Sequence, residues 1–156
     1  MDRNELIHRT IQLAIENVKS GGGGPFAALV VRDGEIIATG VNQVTQTLDP
    51  TAHAEVVALR AACLALRHFE LTGCEIFCSC EPCPMCLGAI YWARPAHVFF
   101  AATATAAADA GFDDSFIKGQ ICLPFSQQQL PIERLDHAVA LAPFEAWKAK
   151  ADKVVY

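Results

Sequence analysis

Apolar positions recur every three or four residues along the first twenty positions. Leu6, Ile7, Ile11, Ala14, Ile15 and Val18 fall at helical spacing and predict a first helix over about residues 3–19. Gly21 to Gly24 then end it. No Gly-Lys-Ser/Thr follows the glycines, so they read as a helix stop and flexible turn, not a phosphate cradle. Phe26 to Val31 and Glu35 to Val44 read as two strands, joined by Asp33-Gly34, a strong hairpin signal. An Ala/Leu-rich helix over Val56 to Leu66 starts near His53. A short buried strand is expected at Glu75 to Ser79, a helix from Pro84 to about Trp92, and a strand at Val98 to Ala102. Ala104 to Ala110 reads as a short helix, Gly111 to Pro131 as irregular, and Phe144 to Lys150 as a C-terminal helix. Strands alternating with helices imply an α/β sheet covered on both faces. There is no internal repeat and no linker, so the 156 residues read as one domain.

Composition sharpens this picture. A hydrophobic share of 53% argues for a packed globule. The net charge of −5 and the lack of a basic run remove the usual phosphate-neutralising footprint, so a small uncharged substrate is favoured over a polynucleotide. The charged start, Met1-Asp2-Arg3-Asn4-Glu5, is no signal core, and the most apolar stretch, Val98 to Ala108, is too short to span a bilayer. Seven cysteines without a secretion signal read as reduced thiols plus metal ligands in a cytoplasmic protein.

The candidate chemistry lies in His53-Ala54-Glu55 and Pro82-Cys83-Pro84-Met85-Cys86. His53, Cys83 and Cys86 offer three zinc ligands, and a catalytic zinc keeps its fourth position open. Zinc brings the pKa of a water down to about 7, and Glu55 could then move protons. His-x-Glu with Pro-Cys-x-x-Cys is the signature of zinc deaminases acting on nucleobases. Cys83 and Cys86 share one face of a helical turn, and Pro84 suits its first position. The partial positive charge of that helix start favours thiolate. His53 and Glu55 would point ~200° apart in a regular helix, so they can serve one site only if His53 sits at the helix start. Asp49-Pro50-Thr51 supports a start there. Two helix N-termini are thus predicted to converge on one metal. Cys80-Glu81-Pro82-Cys83 is also a C-x-x-C pair, so spacing alone leaves the choice of pair open, and Cys78 or Cys80 could close the site as a fourth ligand.

Along essentially its whole length the chain resembles the bacterial guanine deaminases of the cytidine deaminase-like superfamily. Thr51 to Glu55 and Pro82 to Cys86 carry the superfamily motifs; Ser79 to Arg94 and Gly111 to Ile117 point to guanine. The resemblance implies a three-layer α/β/α fold with a mixed sheet of about five strands and helices on both faces. It also implies one zinc ion per subunit on His53, Cys83 and Cys86, with Glu55 as proton shuttle. Asn42 would hydrogen-bond the purine, and Phe26, Ala54, Trp92 and Tyr156 would complete the base site. Asp114 would contact the substrate amino group or relay protons from the leaving ammonia. A homodimer is implied, in which the segment from about residue 131 can be exchanged between subunits. Ala27, Cys78 and Ala106 depart from the family pattern without touching a ligand. His8, His68, His97 and His137 match no motif position.

The predicted reaction is hydrolytic conversion of guanine to xanthine and ammonia. Hydroxide would attack C2, while Glu55 carries a proton to a ring nitrogen and then to the departing amino group. The rivals are a tRNA adenosine deaminase, a cytosine or aminotriazine deaminase, and a non-catalytic zinc-stabilised binding module. Neither nucleic acid nor a membrane is expected as a partner.

Overall fold

A computed structural model describes residues 1–156. The elements run α1 (Arg3–Lys19), β1 (Ala27–Arg32), β2 (Glu35–Val41), α2 (Val44–Thr47), α3 (Ala54–Leu66), β3 (Cys74–Cys80), α4 (Pro84–Ala93), β4 (His97–Ala102), α5 (Ala104–Asp109), α6 (Ser115–Ile121) and α7 (Ala142–Ala149), with a 3₁₀ turn at Phe125–Gln127. The chain divides into two compact units, Met1–Phe116 and Ile117–Tyr156.

In the first unit the strands form one mixed sheet in the order β2-β1-β3-β4. The β1/β2 and β1/β3 pairs are antiparallel, and β3/β4 is parallel. The sheet has four strands where about five were expected. Beyond Asp109 the chain holds no alternating β-branched run, and Gly111, Gly119, Pro124 and Pro131 interrupt it. Part of the stretch read as irregular is instead helical, as α6. Strand β2 stops at Val41, short of the expected Val44, because α2 begins there. The hairpin turns as expected: Arg32 pairs with Glu35, and Asp33 and Gly34 both take positive φ, 51° and 78°.

Period-two alternation splits the core into two layers. Leu29, Val31 and Phe77 pack with Leu6 of α1 on one face. Ala28, Val30, Ile76 and Cys78 pack with Ala54, Ala58, Leu59 and Ala62 of α3 and Ile90 of α4 on the other. Helices therefore cover both faces, giving the three layers α/β/α. An Asp2/Glu5 capping box, each side chain accepting the other's backbone N–H at 2.8 Å, starts α1. Its buried stripe is Leu6, Thr10, Ala14 and Asn17, whereas Ile15 and Val18 are exposed. With Ile11, Ala101 and Ala102 they line an apolar groove beside the edge strand β4. In the second unit α7 is its longest helix, and its apolar residues Leu130, Leu135, Leu141 and Phe144 are all more than 60% exposed. No helix is long and apolar enough to cross a membrane.

One close approach sets the position of α3. A Cβ at Gly40 on β2 would lie 2.2 Å from the Ala54 carbonyl oxygen and 2.4 Å from the Ala58 nitrogen. Only a glycine lets the α3 backbone rest on β2 there. Gly40→Ala is expected to cost about 3 kcal/mol or more, since neither backbone can yield as a side chain would. A denaturation midpoint matching the wild type would contradict this account.

Candidate active site

Helices α3 and α4 both begin at the edge of the sheet where β3 and β4 end. His53 is the N-cap of α3, with φ −67° and ψ 154°, and Cys83 is the N-cap of α4, with φ −67° and ψ 168°. Neither side chain caps its own helix, so both are free to turn towards a common point. Pro84 occupies the first turn of α4, as its spacing predicted. Cys86 stands three residues after the N-cap, the separation at which a capping box brings two side chains together. The His53–Glu55 puzzle is solved the same way: the imidazole leaves from the non-helical N-cap, while Glu55 sits in the first turn and is buried.

The donor atoms of His53, Cys83 and Cys86 lie within 4.8 Å of one another. His53 Nδ1 is 3.5 Å from each sulfur. A tetrahedral ion with Zn–S of about 2.3 Å and Zn–N of about 2.0–2.1 Å places N and S about 3.5 Å apart. The donor set thus fits zinc in both chemistry and spacing. Of the cysteines, Cys83 and Cys86 are the pair whose sulfurs gather with His53. The Cys80 thiol is instead 3.5 Å from the Thr103 carbonyl oxygen, to which it donates. Cys78 is buried in the core layer beneath α3 and α4.

The three donors at the centre share their protons unequally. The Cys86 thiol donating to Cys83 holds the Cys83 thiol well below its usual range, while the same bond pushes Cys86 up. A metal would displace the proton the pair keeps between them. The bond to Cys83 raises the pKa of His53. Burial raises that of Glu55, whose Oε2 is 3.4 Å from Cys86 Sγ. Burial also pushes the Cys63, Cys74, Cys78 and Cys80 thiols up, and Cys122 is exposed.

The residues expected in a base site lie in varied settings. Asn42 follows β2 and is buried; its N–H donates to the Phe26 carbonyl at 3.0 Å. The Phe26 ring meets Phe112 edge-on at 5.0 Å between centroids. Ala54 is fully buried beside Glu55. Asp114 is half-buried, and its charge acts on Cys80, which places it near the metal loop. Trp92 is 65% exposed on α4, and Tyr156, 68% exposed, belongs to the second unit.

Three residues had no role assigned from the sequence. Glu81 accepts the Ala104 N–H at 3.0 Å and its own N–H donates to the Ala102 carbonyl, so the cysteine loop is tied to the start of α5. Phe112 walls Phe26. Asn17 joins α1 to the strands, and the one available signal was a polar residue on the buried stripe of that helix.

Residues 1–102 match the family of the cytidine and deoxycytidylate deaminase zinc-binding region. A guanine deaminase of Bacillus subtilis is 51% identical over 156 residues, covering 100% of both chains. The X-ray structure of guanine deaminase from Bacillus subtilis superposes with a TM-score of 0.99 at 51% identity, over 100% of this chain and 99% of that one. A tRNA-specific adenosine deaminase of Aquifex aeolicus is 43% identical over 81 residues, 52% of this chain and 54% of its own length.

The geometry separates metal binding from proton transfer. His53→Ala is expected to lose most bound zinc, since one of three ligands is gone. Glu55→Gln should keep zinc near the wild-type level, and it should melt no earlier near neutral pH. In the folded chain burial raises the Glu55 pKa, so ionising it above its unfolded pKa costs stability that glutamine does not. Elemental analysis and melting curves of the two variants check this; zinc loss in Glu55→Gln would make Glu55 a ligand.

Proposed function

We propose, for a chain that belongs to the cytidine and deoxycytidylate deaminase family and within it to the guanine deaminases, hydrolytic deamination of guanine to xanthine and ammonia. The observation that carries this reading is the His53/Cys83/Cys86 donor set with the buried Glu55 carboxylate beside it, in a chain alike over its full length to a guanine deaminase. The tRNA-specific adenosine deaminase matches only about half of the chain.

In this proposal His53, Cys83 and Cys86 hold one zinc ion per subunit. When bound, zinc supplies Lewis acidity that makes hydroxide available near neutral pH. Glu55 does the proton work. Its raised pKa, set by burial, suits a group that must both accept and return a proton. Its carboxylate takes the proton of the attacking water and delivers it to the purine ring nitrogen beside C2. It then takes the proton of the hydroxyl added at C2 and gives it to the amino nitrogen as the C2–N bond breaks, so that water and guanine become xanthine and ammonia. Asn42 hydrogen-bonds the base, Phe26 packs on its ring, and Ala54 faces it at the start of α3. Asp114 contacts the amino group or relays protons from the departing ammonia, and Trp92 and Tyr156 complete the enclosure.

The working unit is proposed as a single deaminase domain that pairs with a second copy and exchanges its segment from about residue 131. Three features support pairing. Strand β4 is an exposed edge with Phe100 49% exposed, an apolar groove lies beside it, and the second unit keeps its large apolar side chains on the outside. Purine breakdown or salvage in the cytoplasm is the proposed setting.

Purified protein should release ammonia from guanine, with far less from adenine, cytosine or guanosine measured side by side. Zinc-loaded protein inert towards guanine would overturn the proposal. Release from adenosine in a tRNA anticodon stem instead would favour the rival. Glu55→Gln should lower kcat about 10²–10⁴-fold, the usual contribution of a positioned acid–base group. Light scattering should report twice the 16.8 kDa chain mass, and a monomer would rule out the exchanged pair.

A further inference from the structure

The four glycines after α1 have so far served only to stop a helix. Their surroundings show a tighter constraint. The Asn17 side chain, buried on the last turn of α1, donates through Nδ2 to two carbonyl oxygens, of Gly24 at 2.9 Å and of Asn42 at 3.0 Å. The Asn17 carbonyl in turn accepts the Gly22 N–H at 2.7 Å. One side chain therefore bridges the glycine loop to the residue expected to hold the purine.

Two of the glycines leave no room for a side chain. A Cβ at Gly22 would meet Asn17 Oδ1 at 2.2 Å, and one at Gly23 would meet the Asn42 carbonyl oxygen at 2.3 Å. A Cβ at Gly24 would stand 3.4 Å from Asn42 Cγ and 3.4 Å from the Phe26 ring. At Gly21 there is nothing within 4 Å. A side chain at Gly22 or Gly23 would thus collide with Asn17 or Asn42, one at Gly24 would only touch Asn42 and Phe26, and one at Gly21 would meet nothing.

The Asn42 peptide is consequently held from both ends. Its N–H donates to Phe26 O at 3.0 Å, and its carbonyl accepts from Asn17 at 3.0 Å. Phe26 is anchored by the same loop, since its N–H donates to Gly24 O at 2.8 Å. With its peptide clamped and its Oδ1 accepting the Val44 N–H at 3.4 Å, the Asn42 side chain has little freedom to turn. The restriction is in place before substrate arrives, so little ordering remains to be done on binding.

We infer that Asn17 and the Gly22–Gly24 loop are a positioning device that aims the Asn42 amide, and with it the Phe26 ring, at the base. Asn17 is a positioning residue, because it acts through Asn42. The inference rests on the reading of Asn42 as a purine contact. It separates from the metal chemistry: none of these residues belongs to the His53/Cys83/Cys86 donor set.

The test pairs two glycines. Gly21→Ala and Gly23→Ala both force alanine into positive φ, at 74° and 144°, but only the second pushes on Asn42. Gly23→Ala should raise the guanine KM about tenfold or more over Gly21→Ala, the scale of one misplaced hydrogen bond, with zinc content unchanged in both. Asn17→Ala should raise KM similarly while lowering kcat less. In an Asn42→Ala background it should add almost nothing, because the two residues act as one unit. Asn17→Asp, which sets carboxylate oxygens against two carbonyls, should not rescue. An Asn42→Ala enzyme with wild-type KM would remove the reading of Asn42 and this inference together. A raised KM in Asn42→Ala, with Gly23→Ala no different from Gly21→Ala, would overturn the inference alone. So would additive effects of Asn17→Ala and Asn42→Ala.

Discussion

The site depends on one contact that involves no side chain. At Gly40 the backbone of α3 lies directly on the backbone of β2, and everything α3 carries at its start is placed by that approach. His53 and Glu55 sit on the first turn of α3, and Ala54 and Ala58, the residues touching Gly40, are fully buried. Small residues on both sides let a helix sink towards a sheet until backbone meets backbone. The resulting position is rigid in a way that flexible side chains could not provide, since packed interiors yield little before they break. A shift of a few tenths of an ångström there would open the spacing between the imidazole and the two sulfurs.

The same economy of side chains appears at both helix starts. Ordinarily Ser, Thr, Asp or Asn fills the N-cap position and satisfies the first turn. Here His53 and Cys83 occupy it without capping anything. The local stability given up at two helix starts frees two ligands to point away from their own helices. Glu81 serves a third helix start, fastening the cysteine loop to the beginning of α5.

What the sequence made legible followed the reach of local rules. His53, Glu55, Cys83 and Cys86 stood out because a metal demands particular residue types at particular spacings. The conflict between the His53–Glu55 spacing and helix geometry itself located the N-cap. Periodicity found the strands that exist, and the hairpin was plain from Asp33-Gly34. The expectation of about five strands came from resemblance and met a C-terminal stretch with no strand-forming run. The apolar spacing of α1 found the helix but not its buried face: Ile15 and Val18 line a groove, while Thr10 and Asn17 are buried with their hydrogen bonds satisfied inside. Asn17, Phe112 and Glu81 act through contacts distant in sequence, and no spacing rule reaches them. Asn42, Trp92, Asp114 and Tyr156 entered through resemblance, and their chemistry is written in no local pattern.

The unequal settings of the seven thiols have a practical consequence. Burial suppresses ionisation of Cys63, Cys74, Cys78 and Cys80, and Cys122 lies in the open. Cys83 is driven towards thiolate by its neighbours, and with Cys86 it belongs to the pair a bound cation would mask. Access differs as well: Cys63 and Cys83 are half-buried, and Cys74, Cys78, Cys80 and Cys86 are buried. A chromogenic thiol reagent applied to the native protein therefore meets Cys122 first, which makes that residue the place for a label that leaves the cysteine loop alone.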